Sequence, residues 1–365
     1  MKKNLILFYP SFERGGVEKI LENLIQNNKE FKISLISSRS AKKNVNFKKI
    51  DFIEVKEIVK IPFIHKRYLS AINGMIILYR YLKKNKKKFL IHSMQSNVAA
   101  IIISILKGNK IVIRNSENPI DSFFYSENKF SSFISFILKY FFYNFADGII
   151  TNSNGSKKSL EKFIFNKDKI KAIYNPYLKK IIKKKYKKRK YIISIGRLRK
   201  QKDHETLLKA FHIFSKKNSE YKLLILGHGN LEIKLKKLAI DLKIHKKVVF
   251  KGWVKNTLSY LKFSKIFVLS SVYEGLGNVL IDAINYDVPC VSTDCKSGPR
   301  EILLNGKGGY LVKIRSPKLL AEKMDFCVGN YSLASKKNLI AKKSLRRFLI
   351  VNQSKKYFDY LKKYN

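Results

Sequence analysis

Two stretches of this chain hold residue types that could carry chemistry. In GRLRKQKD, residues 196–203, an apolar run ends at Gly196 and is followed by Arg197 and Lys202. Arginine offers a planar fork that matches phosphate oxygens, and lysine a mobile point charge. At the carboxyl end of a parallel strand, two such cations would neutralise a diphosphate as it leaves. With 76 Lys and Arg in the chain, ordinary surface charge is the plainer account of the pair taken by itself. The second stretch is SVYEGLGNVLIDAINYDVPCVSTDCKSGPREIL, residues 271–303, in which Glu274 stands between an apolar run and Gly275 and Gly277. Those glycines let backbone N–H groups point into a crevice at a helix start, where the dipole favours an anion. The Glu274 carboxylate can accept two hydrogen bonds from sugar hydroxyls. Asp282 follows after about two helical turns, which places it on the same side and within reach of a ribose. A capped helix with ordinary acids is the plainer account. Strand, acid, glycine pair and helix in one segment favour a site.

These residues need elements to position them. The apolar runs 5–9, 32–38, 89–93, 110–116 and 148–153 read as strands, separated by helix-length segments. Gly15-Gly16 opens a stretch with Val17, Ile20, Leu21, Leu24 and Ile25 at helical spacing. A glycine pair there frees N–H groups at a helix start, although a tight turn needs no more, and no G-x-G-x-x-G is present. Between Lys179 and Lys190, nine of twelve residues are basic, which reads as a solvated linker. A second alternating series follows, with strands at 191–196, 222–227, 247–252, 266–271 and 289–293, and helices starting near Asp203, Asn230, Leu258 and Gly277. Such alternation predicts parallel sheets covered by helices on both faces. The expected organisation is a domain over 1–178, a linker over 179–190, a second domain over 191–343 and a C-terminal helix over 344–365. Phe348, Leu349, Tyr357, Tyr360 and Leu361 supply most of that helix's apolar face.

Composition bounds the partners. The 365 residues carry a net charge of +50, a field that attracts polyanions such as anionic lipid, phosphorylated substrates or nucleic acid. A chain crowded with Lys, Ile, Asn and Phe also fits an AT-rich coding sequence, so drift in composition explains the excess equally well. A nucleic-acid binder would need a basic stripe with a reading element, and none is evident. Cys290, Cys295 and Cys327 fit neither a disulfide framework nor a zinc site, which points to a reducing cytoplasm. The run Leu5–Tyr9 ends at Pro10, too short for a signal peptide, and Val98–Leu106 falls short of the ~20 residues of a spanning helix. Segments 60–88 and 123–145 mix Phe, Tyr and Lys. Either they dock on the anionic inner face of a membrane, or Phe136, Ile137, Tyr140 and Phe141 form a buried helix face.

Taken in order, the motifs of residues 191–325 resemble the donor domain of the retaining glycosyltransferases of family 4. The resemblance rests on G-R-L and Q-K-D, on Gly227-His228-Gly229 and on E-x7-E with Asp282 as its second acid. STDCKSGPREIL, residues 292–303, is typical of bacterial members that build surface polysaccharides. The first half is similar only generically, through Gly15-Gly16-Val17-Glu18 and Asn175-Pro176.

The resemblance implies the α/β GT-B fold, in which two Rossmann-like, doubly wound domains face each other across a cleft and the last helix crosses back to the first domain. It implies transfer, with retention, of a hexose or N-acetylhexosamine from a nucleotide diphosphate sugar, UDP being expected, to a lipid-linked or polysaccharide acceptor. Arg197 and Lys202 would hold the diphosphate, and Glu274 the sugar, aided by the backbone of Gly275, Leu276, Gly277 and Asn278. Asp282, one methylene shorter than Glu, would hold the ribose. Gly15, Gly16, Gly227 and Gly229 would line the donor site. The family often places a histidine near the acceptor. RNSENP, residues 114–119, has none, and leaves Glu117 and Asn118 as the polar candidates. His204 reads as structural, and His228 as an approach to the nucleotide. No cofactor or metal is expected, since no D-x-D occurs. An inactive relative serving as an assembly partner stays open. A sugar-nucleotide epimerase of similar architecture would lack the Arg197, Lys202 and Glu274 set.

Overall fold

The computed structural model describes residues 2–11, 16–44, 50–62, 66–126, 128–184 and 186–364. Among them two parallel sheets form. The first contains β1 (Lys3–Tyr9), β2 (Phe31–Ser37), β3 (Asp51–Glu54), β4 (Leu90–Ser93), β5 (Lys110–Asn115), β6 (Gly148–Thr151) and β7 (Ile170–Ala172), in the order β3-β2-β1-β4-β5-β6-β7. The second contains β8 (Tyr191–Ile195), β9 (Lys222–Leu226), β10 (Val248–Phe250), β11 (Ile266–Leu269), β12 (Cys290–Thr293) and β13 (Tyr310–Val312), in the order β10-β9-β8-β11-β12-β13. Strand order reverses between β1 and β4 and between β8 and β11, which opens a crevice at the carboxyl ends of each sheet.

Both faces of each sheet are buried, which is why its strands read as unbroken apolar runs. Successive side chains of β1 serve different cores. Leu5, Leu7 and Tyr9 pack with Ile20, Leu21 and Leu24 of the helix Gly16–Gln26, while Ile6 and Phe8 pack with Ile91, Ile111 and Leu78 on the other face. The second sheet repeats this, with Ile192 on one face and Ile193 and Ile195 on the other. Sequence periodicity misses β3, β7 and β13, which are four, three and three residues long. Runs that short carry too few apolar residues to stand out, and all three lie at sheet edges.

The basic run 179–190 departs from a solvated tether. Ile182 N donates to Asn285 Oδ1 (2.9 Å), and Asn285 Nδ2 to Lys180 O (3.1 Å). Lys188 Nζ donates to Tyr286 O (2.7 Å) and Lys262 O (3.2 Å), which cap the C-termini of the helices Asn278–Asn285 and Leu258–Leu261. Helix C-termini attract cations, and burial lowers the Lys188 pKa to about 8. The segment is strapped along the second half of the chain.

The final stretch is not one helix. A 3-10 turn, Ser344–Phe348, is followed by Leu349 in an extended conformation (φ −63°, ψ 136°) and then by the helix Ile350–Lys362. At the break, Leu178 N donates to Phe348 O and Ile350 N to Leu178 O, both at 2.9 Å, so the outgoing and returning chains cross side by side. Phe348 belongs to the second sheet's core, whereas Tyr357, Phe358, Tyr360 and Leu361 pack into the first.

The helix Lys129–Phe142 settles the two accounts of segment 123–145 differently for different residues. Phe136 packs partly buried against the core. Ile137, Tyr140 and Phe141 are exposed, and no residue of this helix is fully buried. Among the described residues, no helix is long and apolar enough to cross a membrane.

Candidate functional site

The loop after β8 and the loop after β11 are tied together at the carboxyl edge of the second sheet. Val272 N donates to Gln201 O (2.9 Å), Gln201 Nε2 to Tyr273 O (3.1 Å) and Ser270 Oγ to Lys202 O (2.8 Å). Asp203, in a left-handed conformation, caps the helix His204–Lys217 by accepting from Thr206 N (3.2 Å). These ties bring Lys202 Nζ within 2.5 Å of Glu274 Oε1, and Ser271 Oγ donates to the same oxygen at 2.7 Å. The Lys202 and Glu274 side chains are only 16% and 7% exposed. Glu274 Oε2 takes no hydrogen bond from the described residues.

The turn behind Glu274 is built by close backbone approach. Gly277 (φ 83°) precedes the helix Asn278–Asn285, Leu276 is buried, and Ser297 Oγ donates to Glu274 O at 2.7 Å. A Cβ on Gly275 would stand 2.0 Å from Ser116 O, so the turn after β11 rests directly on the loop after β5 from the other half. Across the crevice, Gly16 begins its helix facing Asn278, its Cβ position 3.7 Å from Asn278 Nδ2. Asn175 Nδ2 donates to Asn278 Oδ1 (3.0 Å), and the buried Arg114 donates to Asn175 Oδ1 (2.8 Å). Two helix N-termini thus converge beside the Lys202–Glu274 pair, a place suited to an anion.

Other expected residues are placed differently. Gly15 lies outside the described residues. Arg197 is exposed, and its side chain has no partner among the described residues. Gly227 and Gly229 serve loop packing, since a Cβ would lie 2.0 Å from Gly196 O in one case and 2.4 Å from Leu198 O in the other.

Asp282 does not share a helix face with Glu274, because the helix starts only at Asn278 and Glu274 sits in the preceding turn. The Asp282 carboxylate is buried and accepts from Tyr177 Oη at 2.5 Å. Burial raises its pKa, while Lys19 and the Tyr177 hydrogen bond pull it down.

Asn118 is a buried helix cap, accepting from Asp121 N (3.1 Å) and Ser159 Oγ (2.7 Å), and Glu117 pairs with Lys139 at 2.9 Å. The first is therefore structural, and the second is engaged by the exposed aromatic helix. His204 is buried, its pKa lowered to about 3 by burial and then by Lys202, and His228 is exposed.

Sequence reasoning passed over Glu301. Its carboxylate accepts from Asn154 N (2.9 Å), Gly155 N (2.8 Å) and Tyr174 Oη (3.1 Å), clasping the two halves beside the chain crossing. Its partners lie some 130 to 150 positions away in the chain, and no local pattern marks such a contact. Among the described residues, no cluster of His, Cys, Asp or Glu could hold a metal ion. A cavity of 540 Å³ along β13, lined in part by Arg300, Tyr310 and Lys337, includes neither Lys202 nor Glu274.

Comparisons with known proteins give the family and the fold. The family described as Glycosyltransferase Family 4 matches residues 14–177, and that described as Glycosyl transferases group 1 matches residues 178–344. An uncharacterized glycosyltransferase of Methanocaldococcus jannaschii is 37% identical over 58% of this chain and 56% of its own length. The N-acetylgalactosamine-N,N'-diacetylbacillosaminyl-diphospho-undecaprenol 4-alpha-N-acetylgalactosaminyltransferase of Campylobacter jejuni is 28% identical over 86% of both chains. Among solved structures, Anabaena HepE in complex with UDP-glucose superposes with a TM-score of 0.78 over 100% of both chains at 16% identity.

Proposed function

The chain belongs to glycosyltransferase family 4 and has the GT-B fold, and from that premise we propose that it transfers a hexose or N-acetylhexosamine from a UDP-sugar, with retention, to a lipid-linked or polysaccharide acceptor in surface-glycan assembly. One observation carries this reading: the Lys202–Glu274 pair lies where the N-termini of Gly16–Gln26 and Asn278–Asn285 converge. A donor placed there meets positive ends of helices and Lys202 at its phosphates, and Glu274 Oε2 at its sugar hydroxyls. Arg197, exposed at the end of β8, reaches the same diphosphate.

As the bond from C1 to the β-phosphate breaks, its electron pair leaves with the nucleotide. Fixed cations aimed at that developing charge lower the barrier. The acceptor oxygen bonds to C1, and its proton passes to the departing phosphate. Gly275, Leu276, Gly277 and Asn278 hold the sugar from the backbone side, and Gly227 and Gly229 keep the neighbouring loops close enough to do so. Asp282 lies under the donor loop and supports the ribose side through Tyr177. UDP is favoured because HepE was solved with UDP-glucose, and a lipid-linked acceptor because the Campylobacter relative is named for one.

The acceptor would be met at an anionic membrane surface. Phe130, Phe133, Ile137 and Phe141 are exposed on one helix, Ile105 and Leu106 end a helix packed beside it, and Lys107 and Lys129 flank them. Aromatic rings with basic neighbours suit such an interface.

Thermal shift against a panel of nucleotide sugars tests the donor, since a ligand at 100 times its Kd stabilises by about 2.7 kcal/mol. A UDP-sugar should raise the melting temperature and support transfer, and EDTA should leave the rate unchanged. No shift with any UDP-sugar, or strict dependence on added Mg²⁺ or Mn²⁺, would defeat the proposal.

A further inference from the structure

The buried carboxylate of Asp121 has no part in the scheme above. It stands at the third position of the helix Pro119–Phe124, where an acid commonly folds back onto the N-cap amide. Asn118 does its half, accepting from Asp121 N, yet the Asp121 carboxylate takes no bond from the Asn118 amide. Among the described residues its one ion-pair partner is Lys296 Nζ, at 3.6 Å, from the loop after β12 in the other half of the chain. The two side chains are unequal, 4% and 76% exposed.

A carboxylate held that deep by one exposed surface cation is poorly compensated. Burial raises its pKa, and Lys296 and Lys162 counter only part of the rise. Stability alone gives no reason for an acid here, since a neutral side chain of the same size would cost less.

Its location does. Lys296 sits between Ser297, whose hydroxyl holds Glu274 O at 2.7 Å, and Cys295, whose thiol feels the charge of both Glu274 and Asp121. Asp121 therefore approaches the Glu274 turn from the first half of the chain, a few residues after the Ser116 carbonyl that rests on Gly275.

Resting on the transferase reading above, we propose that Asp121 and Lys296 form the acceptor subsite for a sugar hydroxyl on a phosphate-bearing glycan. Asp121 accepts the hydrogen bond of the hydroxyl next to the attacking one on the acceptor sugar, and so aims the attacking oxygen at C1. Lys296 turns from Asp121 to the acceptor's phosphate. The carboxylate stays ionised throughout, because the attacking hydroxyl turns its own proton to the departing diphosphate, which takes it as the bond to C1 breaks.

The test uses the full chain with UDP-N-acetylgalactosamine and a polyprenyl-diphosphate-linked N-acetylhexosamine. In Asp121→Asn the kcat/KM for the acceptor should fall about 10- to 100-fold, the worth of one hydrogen bond to a charged group. The donor KM and the slow hydrolysis of the UDP-sugar should stay at wild-type values, and the melting temperature should be no lower than that of the wild type. Lys296→Ala should raise the acceptor KM and leave kcat near wild type. If Asp121→Asn keeps wild-type acceptor kinetics, or loses donor hydrolysis in parallel with transfer, the subsite is refuted. If the wild-type protein neither binds nor turns over any UDP-sugar, the transferase reading itself fails and this subsite fails with it.

Discussion

Gly275 packs against Ser116 so closely that a methyl group on its Cα would stand 2.0 Å from the Ser116 carbonyl oxygen. Nothing in the local turn demands glycine at 275 as a left-handed residue; the two halves of the chain demand it. The contact joins the loop that carries Glu274 to the loop that leads to Asp121.

Gly275→Ala should therefore part the two halves while each keeps its own core. A misplacement of about 1 Å can cost on the order of 100-fold in rate. Transfer should fall by that order, the melting temperature should stay within a few degrees, and the radius of gyration from small-angle scattering should rise. An unchanged transfer rate would show that the contact is not needed for closure.

Lys202 and Glu274 are partners of each other in the fold, and this limits how a role in transfer is tested. Removing one member of a buried pair costs about 3–5 kcal/mol because the other charge is stranded. Glu274→Ala therefore confounds folding with function, and Glu274→Gln is the better probe. Transfer should fall roughly 10²- to 10³-fold in Glu274→Gln and in Lys202→Met. The double variant should be more stable than Lys202→Met alone, because no orphan carboxylate remains. Additive losses of stability in the two single variants would contradict the pairing.

Two buried histidines should weaken the fold as the solution turns acid. Burial holds the His92 imidazole at a pKa of about 4 and that of His204 at about 3. In the unfolded chain each titrates near 6.5. Between those values the unfolded state binds more protons, so the contribution of these two histidines is full above about pH 6.5 and is lost as pH falls. Each histidine contributes a slope of up to about 1.4 kcal/mol per pH unit. Asp121 and Asp282, raised by burial, act in the opposite sense within their own titration range. Urea unfolding at pH 7, 6 and 5 should show midpoints that fall with pH, and His204→Gln should reduce the slope. Flat midpoints over that range would contradict neutral, buried imidazoles.

The exposed face of the helix Lys129–Phe142 should bind anionic vesicles. Phe130 is 76% exposed and Phe141 57%. Burying such a side chain is worth about 1.5–3 kcal/mol, so Phe130→Ser with Phe141→Ser should cut vesicle partitioning at least tenfold. Flotation at low salt should recover the wild-type protein, and higher ionic strength should release part of it by screening. Absence from the floated fraction at low salt would remove the membrane from the scheme.

Much of the fold was legible in the residues themselves. Strands buried on both faces write unbroken apolar runs, so β1, β2, β4, β5, β6 and the central strands of the second sheet could be read directly. The turn and helix that carry Glu274, Gly277 and Asn278 were legible for the same local reason: strand, turn and helix follow one another within a few residues. The edge strands β3 and β13, and the break at Leu349, were not, because short or half-exposed segments leave no periodicity.

What local order could not decide was partnership. Lys202 meets Glu274 across 72 positions, Asp282 is claimed by Tyr177 across 105, and Asp121 meets Lys296 from the opposite half of the chain. Residue type and spacing determined which groups are candidates for holding a sugar diphosphate. Only the packing of the two sheets against each other determined which of them face one cleft, because hydrogen bonds and ion pairs act over a few ångströms of space, whatever the distance along the chain.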